Sequence, residues 1–287
     1  MISKPIAALL ATATLLPLPA LADDCAHVRN IDMSLDLSGV ETVIFEVGPH
    51  DLRVTGAADG DGHLVGRACA SQAVHLARLE VTQSRTGDRL SVRLQRKDLE
   101  DGFIDGIQSL GDFVFGGDHA ALDLVVALPE GMDVRMDLGS GDAAVTGVAS
   151  LEANVGSGDL AASRVAGTVR LSVGSGDVQL EDIGALDVDS IGSGDVSAAR
   201  VRAGTSIGSI GSGDFGLYGA GGNVEVGSVG SGDAGLRNVK GNVRVGSVGS
   251  GDIEAIGVRG DFVVRSIGSG NIDHRDIGGD VDLPADH

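Results

Sequence analysis

The sequence predicts an all-β protein: a parallel β-solenoid (β-helix) with about eight rungs of 17–19 residues, preceded by a β-rich N-terminal capping region. Three observations support this prediction. One tetrapeptide recurs through the second half of the chain, glycine accounts for 46 of 287 residues, and aromatic residues make up only 2%. Hydrophobic residues still make up 42% of the chain, enough aliphatic surface to form a core, so the composition is not that of a disordered protein.

The repeat is the tetrapeptide Gly-Ser-Gly-Asp. Its seven copies are followed by one Gly-Ser-Gly-Asn, and the spacing between copies is 17–19 residues throughout. The copies begin at Gly139, Gly156, Gly174, Gly192, Gly211, Gly230 and Gly249, and the variant copy begins at Gly268. Such constant spacing is typical of a stacked repeat, in which each unit contacts only its neighbours.

Each rung carries apolar residues in pairs two apart, which is the alternation of a β-strand. In the rung that begins at Gly230 the apolar residues are Ala234, Leu236, Val239, Val243, Val245 and Val248. Two such short strands cannot bury a face alone, so stacking at ~4.8 Å must supply the core. A β-propeller is the alternative, but a blade needs about 40 residues, so eight repeats would make only about four blades.

The chain divides into three regions: 1–22, 23–121 and 122–287. Residues 1–22 read as a secretory signal peptide, with Lys4 before an apolar run and Ala20-Leu21-Ala22 as the cleavage site. A membrane anchor is the alternative, but the apolar run is short for a bilayer. No other segment is long and apolar enough to span a membrane, so the expected location is periplasmic or secreted.

Region 23–121 lacks the tetrapeptide but is also rich in strand patterns. Strands are expected at 31–37, 42–47, 51–55, 76–83 and 89–95, and a long loop at about 97–117. A solenoid needs its end covered so that an open strand edge does not recruit other chains, and this region is the expected cap. At the other end, Asn271 and His274 make the last repeat degenerate, as expected of a terminal rung.

The chain has two cysteines, Cys25 and Cys69. In an oxidising compartment a single disulfide between them is the natural expectation. A redox-active pair is disfavoured, because the sequence contains no Cys-x-x-Cys.

The strand exit Leu-Pro-Glu-Gly at 128–131, followed by iterated (Val/Ile)-Gly-Ser-Gly-Asp-(Val/Ile), resembles the bacterial family of β-strand repeats called putative adhesins or head domains of unknown function. The resemblance covers 122–283 and, more loosely, 31–95. It implies an exported, non-enzymatic β-solenoid of the cell envelope, and it brings no catalytic residues with it.

The repeated corners stack seven aspartates in one column: Asp142, Asp159, Asp177, Asp195, Asp214, Asp233 and Asp252. One interpretation is a calcium column, since calcium prefers carboxylate and carbonyl oxygens. The other is that each aspartate caps its own turn through backbone N–H groups, beside glycines that supply a positive φ. We favour the capping role, because one carboxylate per corner falls short of the six to eight oxygens that calcium takes.

The serine column of the same corners is unbroken: Ser140, Ser157, Ser175, Ser193, Ser212, Ser231, Ser250 and Ser269. An ice-binding face is disfavoured, because these serines sit in glycine-flanked corners rather than on a flat strand.

The remaining chemistry is sparse. The sequence has no zinc-protease motif, no Cys/His cluster and no nucleophile motif, so we expect neither enzyme activity nor a cofactor. An acidic-polysaccharide lyase would use paired Asp and Arg on one face. The candidates for such a face are Asp182, Asp187 and Asp189 with Arg164, Arg170 and Arg200.

The formal charge of −20 disfavours nucleic acid and other polyanions as partners. Basic residues at the second turn (Arg202, Lys240 and Arg259) skip rungs and form no continuous stripe. The sequence therefore predicts a structural or adhesion-type module, taken as a monomer, with an unidentified envelope or surface partner. The alternative is a cation-dependent carbohydrate-binding or polysaccharide-cleaving solenoid.

Overall fold

The computed structural model describes residues 25–97 and 119–285. The leader at 1–22, most of the expected loop at 97–117 and the last two residues lie outside the described residues. The all-β prediction is confirmed: the described chain consists of strands, their connections and one short helix, α1. The N-terminal elements are β1 (His27–Ser34), β2 (Thr42–Gly48), β3 (Asp51–Ala57), β4 (His63–Ala70), α1 (Ala73–Arg78), β5 (Leu79–Thr86), β6 (Arg89–Arg96) and β7 (Ala120–Pro129).

The repeat region adds short strands on either side of every corner. They are β8 (Asp133–Leu138), β9 (Ala143–Thr146), β10 (Ser150–Val155), β11 (Leu160–Val173), β12 (Val178–Ile191), β13 (Val196–Val201), β14 (Thr205–Ile210), β15 (Phe215–Ala220), β16 (Val224–Val229), β17 (Ala234–Val239), β18 (Val243–Val248), β19 (Ile253–Val258), β20 (Phe262–Ile267), β21 (Ile272–Ile277) and β22 (Val281–Asp282).

These strands form two parallel stacks. The leading sheet holds the strand before each Gly-Ser-Gly-Asp corner, in the order β2, β8, β10, β11, β12, β14, β16, β18, β20 and β22. The trailing sheet holds the strand after each corner, in the order β3, β9, β11, β12, β13, β15, β17, β19 and β21. The long strands β11 and β12 bend from the trailing sheet into the leading one and belong to both. Every one of these pairings is parallel, as the solenoid prediction requires.

The core consists of columns of like aliphatic residues between the two sheets. The inward phase predicted from the sequence is confirmed, because all six apolar positions of the rung beginning at Gly230 are buried. Val245 is 1% exposed, while its neighbour Arg244 faces solvent. Thr205 is the exception in these columns: it is buried where the two following rungs carry Val224 and Val243.

Part of the expected N-terminal cap is itself a rung of the solenoid. Strands β2 and β3 stack in parallel on β8 and β9, and Gly48-Pro49-His50-Asp51 forms the corner between them. Beneath them β6 and β7 pair in parallel with β2 and β3. The stack then ends in antiparallel strands, with β5 on β6, β4 on β7 and β1 on β4. This region therefore does cover one end of the column.

Two local features of this region bear on the expected strand at 76–83 and on the expected disulfide. Residues 76–78, expected to begin a strand, belong to α1, and the strand starts at Leu79. With six residues, α1 is too short to show a helical period in the sequence. The expected disulfide between Cys25 and Cys69 is confirmed, with the two Cα atoms 5.3 Å apart. It fastens the start of the described chain to β4.

Candidate functional site

The corners hold their glycines for reasons of space. In each corner the second glycine lies directly on the rung before it. A Cβ on Gly158 would lie 1.8 Å from the carbonyl oxygen of Gly141, and the other corners give 1.8–1.9 Å. The expectation that these glycines supply a positive φ is wrong, because none of the glycines in the eight Gly-Ser-Gly corners has one. Glycine is required because stacked backbones approach closely, not because the turn is left-handed.

The aspartates of the corners form a hydrogen-bonded ladder along the column. The backbone N–H of Asp159 donates to Oδ1 of Asp142 at 3.0 Å, and each following rung repeats this bond at 2.7–3.0 Å. The ladder begins at Asp51, whose Oδ1 accepts from Asp142 N–H at 3.0 Å, and ends at Asn271. The capping role is therefore real, but each carboxylate caps the next corner rather than its own turn.

The ladder bears directly on cation binding. One oxygen of each ladder aspartate is already used by a backbone N–H. Over residues 25–97 and 119–285, the candidate metal ligands that converge within 4.8 Å in groups of three or more are Cys25, Cys69 and His119 alone. Both of those sulfurs belong to the disulfide and cannot act as thiolates. The expectation that the aspartate column binds no calcium stays a prediction.

A second ladder, which the sequence did not predict, lies at the turns between a trailing strand and the next leading strand. Asn242 N–H donates to Oδ1 of Asn223 at 3.0 Å, Asp261 N–H to Asn242 at 2.9 Å, and Asp280 N–H to Asp261 at 3.1 Å. The sequence signal is a Gly followed by Asn or Asp at the same place in the last four rungs. Because two of these residues are Asn and two are Asp, the position does not stand out as a repeat.

Serines occupy two rows rather than one. The eight corner serines are exposed at the edge of the column, as expected. A further row, not anticipated, crosses the leading sheet in register: Ser172, Ser190, Ser209, Ser228, Ser247 and Ser266. Its first two members line an open groove of about 620 Å³ beside the corners.

The structure does not gather the six residues considered for a lyase. Asp187 and Arg170 face each other on the leading sheet at 3.5 Å. Asp182 pairs with Arg202, and Arg200 pairs with Glu181, at the far end of the trailing strands. These are exposed ion pairs between neighbouring rungs, which contribute little to stability.

His50 is a buried ionisable group within the corner at 48–51. It is 2% exposed, and its Nδ1 accepts the backbone N–H of Leu122 at 3.3 Å, so the proton of the neutral ring belongs on Nε2. No described residue accepts a hydrogen bond from Nε2. Burial lowers the pKa of His50 from 6.5 to about 4, because the charged form loses its hydration.

The trailing sheet carries a trench with one exposed aromatic ring. Tyr218 is 62% exposed, and its neighbours on adjacent rungs are Ala199 and Arg237. The floor beside it consists of Ser197, Gly216 and Gly235. Asp214 and Asp233 of the ladder form the other wall, and the trench has a volume of about 390 Å³. No pattern in the sequence points to this site.

Among the described residues no helix is both long and apolar enough to cross a membrane.

The family model described as Toastrack DUF4097 matches residues 73–286. Three solved structures are similar in fold. A putative lipid binding protein from Parabacteroides distasonis is 15% identical with a TM-score of 0.49, over 90% of this chain and 96% of that one. A putative adhesin from the same species is 15% identical with a TM-score of 0.46, over 87% and 97%. A putative adhesin from Bacteroides fragilis is 13% identical with a TM-score of 0.43, over 91% and 99%. No curated protein matches the chain.

Proposed function

The chain belongs to the Toastrack DUF4097 family, a domain of unknown function with a β-repeat fold, and from that premise we propose that it is an exported, non-enzymatic interaction module of the bacterial cell envelope. The family match confirms the architecture read from the repeat and leaves the activity open. The solved structures named as putative adhesins carry no part of this proposal. It is argued from the residues of this chain alone.

The observation that carries the proposal is that almost all polar and charged side chains of the described residues lie at the surface. Over the described residues, the buried polar or charged side chains are His50, His75 and Thr205, so every described carboxylate reaches solvent at least in part. Enzymes that use acid–base chemistry bury such groups to shift their pKa values. Here the interior is an aliphatic column, and the chemical variety is displayed on two outer sheet faces, as suits a binding surface.

Stacking makes that surface rigid. Each rung is tied to the next by parallel strand pairing in both sheets and by the aspartate ladder at the corner. Side chains that project from the same position of successive rungs are therefore held at ~4.8 Å intervals. A fixed array of this kind binds a partner without first having to be ordered, which lowers the entropic cost of binding.

The disulfide supports export, since such bonds persist in oxidising compartments and are rare in the cytosol. The test is fractionation of cells that produce the full chain or a chain without residues 2–22. We expect the full chain outside the cytoplasm with Cys25 and Cys69 oxidised, and the truncated chain in the cytoplasm with free thiols. Recovery of the full chain in the cytoplasm with both thiols free would overturn the proposal.

The second candidate function is a cation-dependent solenoid that binds carbohydrate or cleaves polysaccharide. Only the carbohydrate-binding part of it is supported. The trench beside Tyr218 favours binding, whereas the scattered Asp and Arg pairs do not favour cleavage.

A further inference from the structure

Two glycines of the trailing sheet have no structural reason to be glycine. Most glycines of the repeat carry a backbone atom of the neighbouring rung within 3 Å of where a Cβ would lie. Gly235 has nothing within 4 Å, and for Gly216 the nearest atom is Ser197 Oγ at 4.0 Å. Neither has a positive φ. Glycine inside a strand weakens it, and it often marks a place where a ligand or another backbone approaches closely.

These two glycines lie side by side, facing outward, in the floor of the trench. Gly216 pairs with Gly235 across β15 and β17, and Ser197 precedes them on β13. The missing side chains leave a depression between the ladder aspartates and the row formed by Ala199, Tyr218 and Arg237. The depression exists because of residue choice, since a Cβ at 216 or 235 would meet no backbone atom within 4 Å.

Tyr218 gives the trench an aromatic wall. It is the only tyrosine in a chain that has no tryptophan, and it stands exposed instead of contributing to the core. Because the floor residue on its own strand is Gly216, no side chain from that position covers the ring on the trench side. An exposed aromatic ring with an open side can take a flat, weakly polar partner by stacking.

The opposite wall offers hydrogen-bond acceptors. Asp214 and Asp233 each use Oδ1 for the backbone N–H of the next rung. No described residue donates to the second oxygen of either carboxylate, so these oxygens remain available as acceptors where the two residues line the trench. A ligand that fits must bring donors, and the acidic charge of the whole chain disfavours an anionic one.

We propose that this trench binds a glycan of amino or neutral sugars, with one ring stacked on Tyr218 and its hydroxyl or ammonium groups donating to Asp214 and Asp233. The rung spacing of ~4.8 Å is close to the length of one β-linked pyranose unit, so successive sugars would meet successive rungs. An extended peptide fits less well, because the backbone N–H and C=O groups of these inner strands already pair with the neighbouring rungs. This inference deepens the proposed interaction role and rests on it.

The assay uses the fluorescence of Tyr218, which is the sole tyrosine and has no tryptophan to mask it. The full mature chain is titrated with a chitosan pentasaccharide, with cellopentaose and with a galacturonate pentamer. We expect saturable changes in tyrosine emission, strongest with the chitosan pentasaccharide, weaker with cellopentaose and absent with the galacturonate pentamer. Equal or tighter binding of the galacturonate pentamer would overturn the charge argument and with it the proposal.

Variants locate the site by calorimetry. Tyr218→Ala and Gly235→Gln should each weaken binding of the chitosan pentasaccharide at least about tenfold, whereas Tyr218→Phe should retain it. Arg244→Gln, on the opposite sheet, is the matched control and should bind like the wild type. All three positions are outward-facing, and melting temperatures no lower than that of the wild type will show that the variants fold.

Two further outcomes would overturn the proposal. One is that none of the three sugars binds. The other is that a lysine-rich peptide binds with the same dependence on Tyr218 while the sugars do not. Either result would leave export and the non-enzymatic role standing, because the fractionation experiment tests those separately.

Discussion

The close stacking of the corners can be tested with two glycines three residues apart in the same rung, Gly232 and Gly235. A Cβ on Gly232 would lie 1.9 Å from the carbonyl oxygen of Gly213, where contacts shorter than 3 Å are essentially never seen. The corner must therefore move by more than an ångström, a large fraction of the ~4.8 Å between rungs. A Cβ on Gly235 meets nothing within 4 Å.

The cost of Gly232→Ala follows from the bonds that the shift would break. Within this corner Ser231 N–H and Gly232 N–H donate to the carbonyl of Gly211, and Asp233 N–H donates to Asp214. At ~1 kcal/mol for each hydrogen bond, losing these three would lower the free energy of unfolding by about 3 kcal/mol. Gly235→Ala should instead raise it by about 0.5–1 kcal/mol, because alanine restricts the unfolded chain more than glycine does.

The measurement is urea denaturation of both variants, followed by far-ultraviolet circular dichroism. Because repeat proteins can unfold in parts, a second probe is needed, and Tyr218 fluorescence serves because it reports from the neighbouring rung. If the two probes give the same unfolding transition, a single free energy of unfolding can be assigned to each variant. If the two substitutions changed stability equally and in the same direction, the argument that corner glycines are there for backbone contact would be wrong.

Four further predictions use other parts of the column. Val245→Asp should unfold or aggregate the protein, because it places an unpaired charge in the core, whereas Arg244→Asp on the outward face should be tolerated; similar expression and melting of the two variants would show that the inward phase is wrong. Thr205→Val should raise the free energy of unfolding by about 1–2 kcal/mol, because the buried hydroxyl has no hydrogen-bond partner among the described residues; a loss of stability in urea would contradict this. The pKa of His50 is about 4 in the folded protein, below its ordinary value of 6.5. Between these two pH values the unfolded chain binds a proton at His50 that the folded protein does not bind, so the free energy of unfolding falls as the pH drops from about 6.5 to 4. The whole loss should be about 3 kcal/mol, should level off below about pH 4, and should be absent from His50→Gln; a wild-type profile identical to that of the variant would refute the assignment. Calcium at millimolar concentration should leave the melting temperature nearly unchanged, and Asp233→Asn should cost little because Asn can accept the same ladder bond; a rise of several degrees with calcium but not magnesium would restore the calcium interpretation.

The repeat made the architecture predictable because inward positions are under the same constraint in every rung. A column such as Ala234, Ile253 and Ile272 stays apolar from strand to strand, and its period can be read directly. The first rung escaped notice because its corner is Gly-Pro-His-Asp at 48–51 instead of Gly-Ser-Gly-Asp. Only the pairing of β2 with β8 and of β3 with β9 shows that the two corners are equivalent.

The direction of the aspartate bonds could not be read from the sequence either. An Asx residue beside glycine is the usual signal of a local turn, in which the side chain bonds two residues further along its own chain. In a stacked column the backbone N–H of the next rung is just as near, and it takes that bond instead. Turn rules for aspartate consider only residues close to it along the chain, whereas here the N–H group that binds the carboxylate lies about eighteen residues further on.

The candidate site was hidden for the opposite reason, since it departs from the repeat. In the sequence, Gly216 and Gly235 are two of 46 glycines and look like the others. What distinguishes them is the empty space above each Cα, which depends on neighbours from other rungs. Outward positions carry no common constraint, so the rungs are free to differ there, and a binding function can be built without disturbing the column. In a repeat protein the periodic residues therefore report the fold, and an exposed residue that breaks the period, such as Tyr218, is where a specific partner can be recognised.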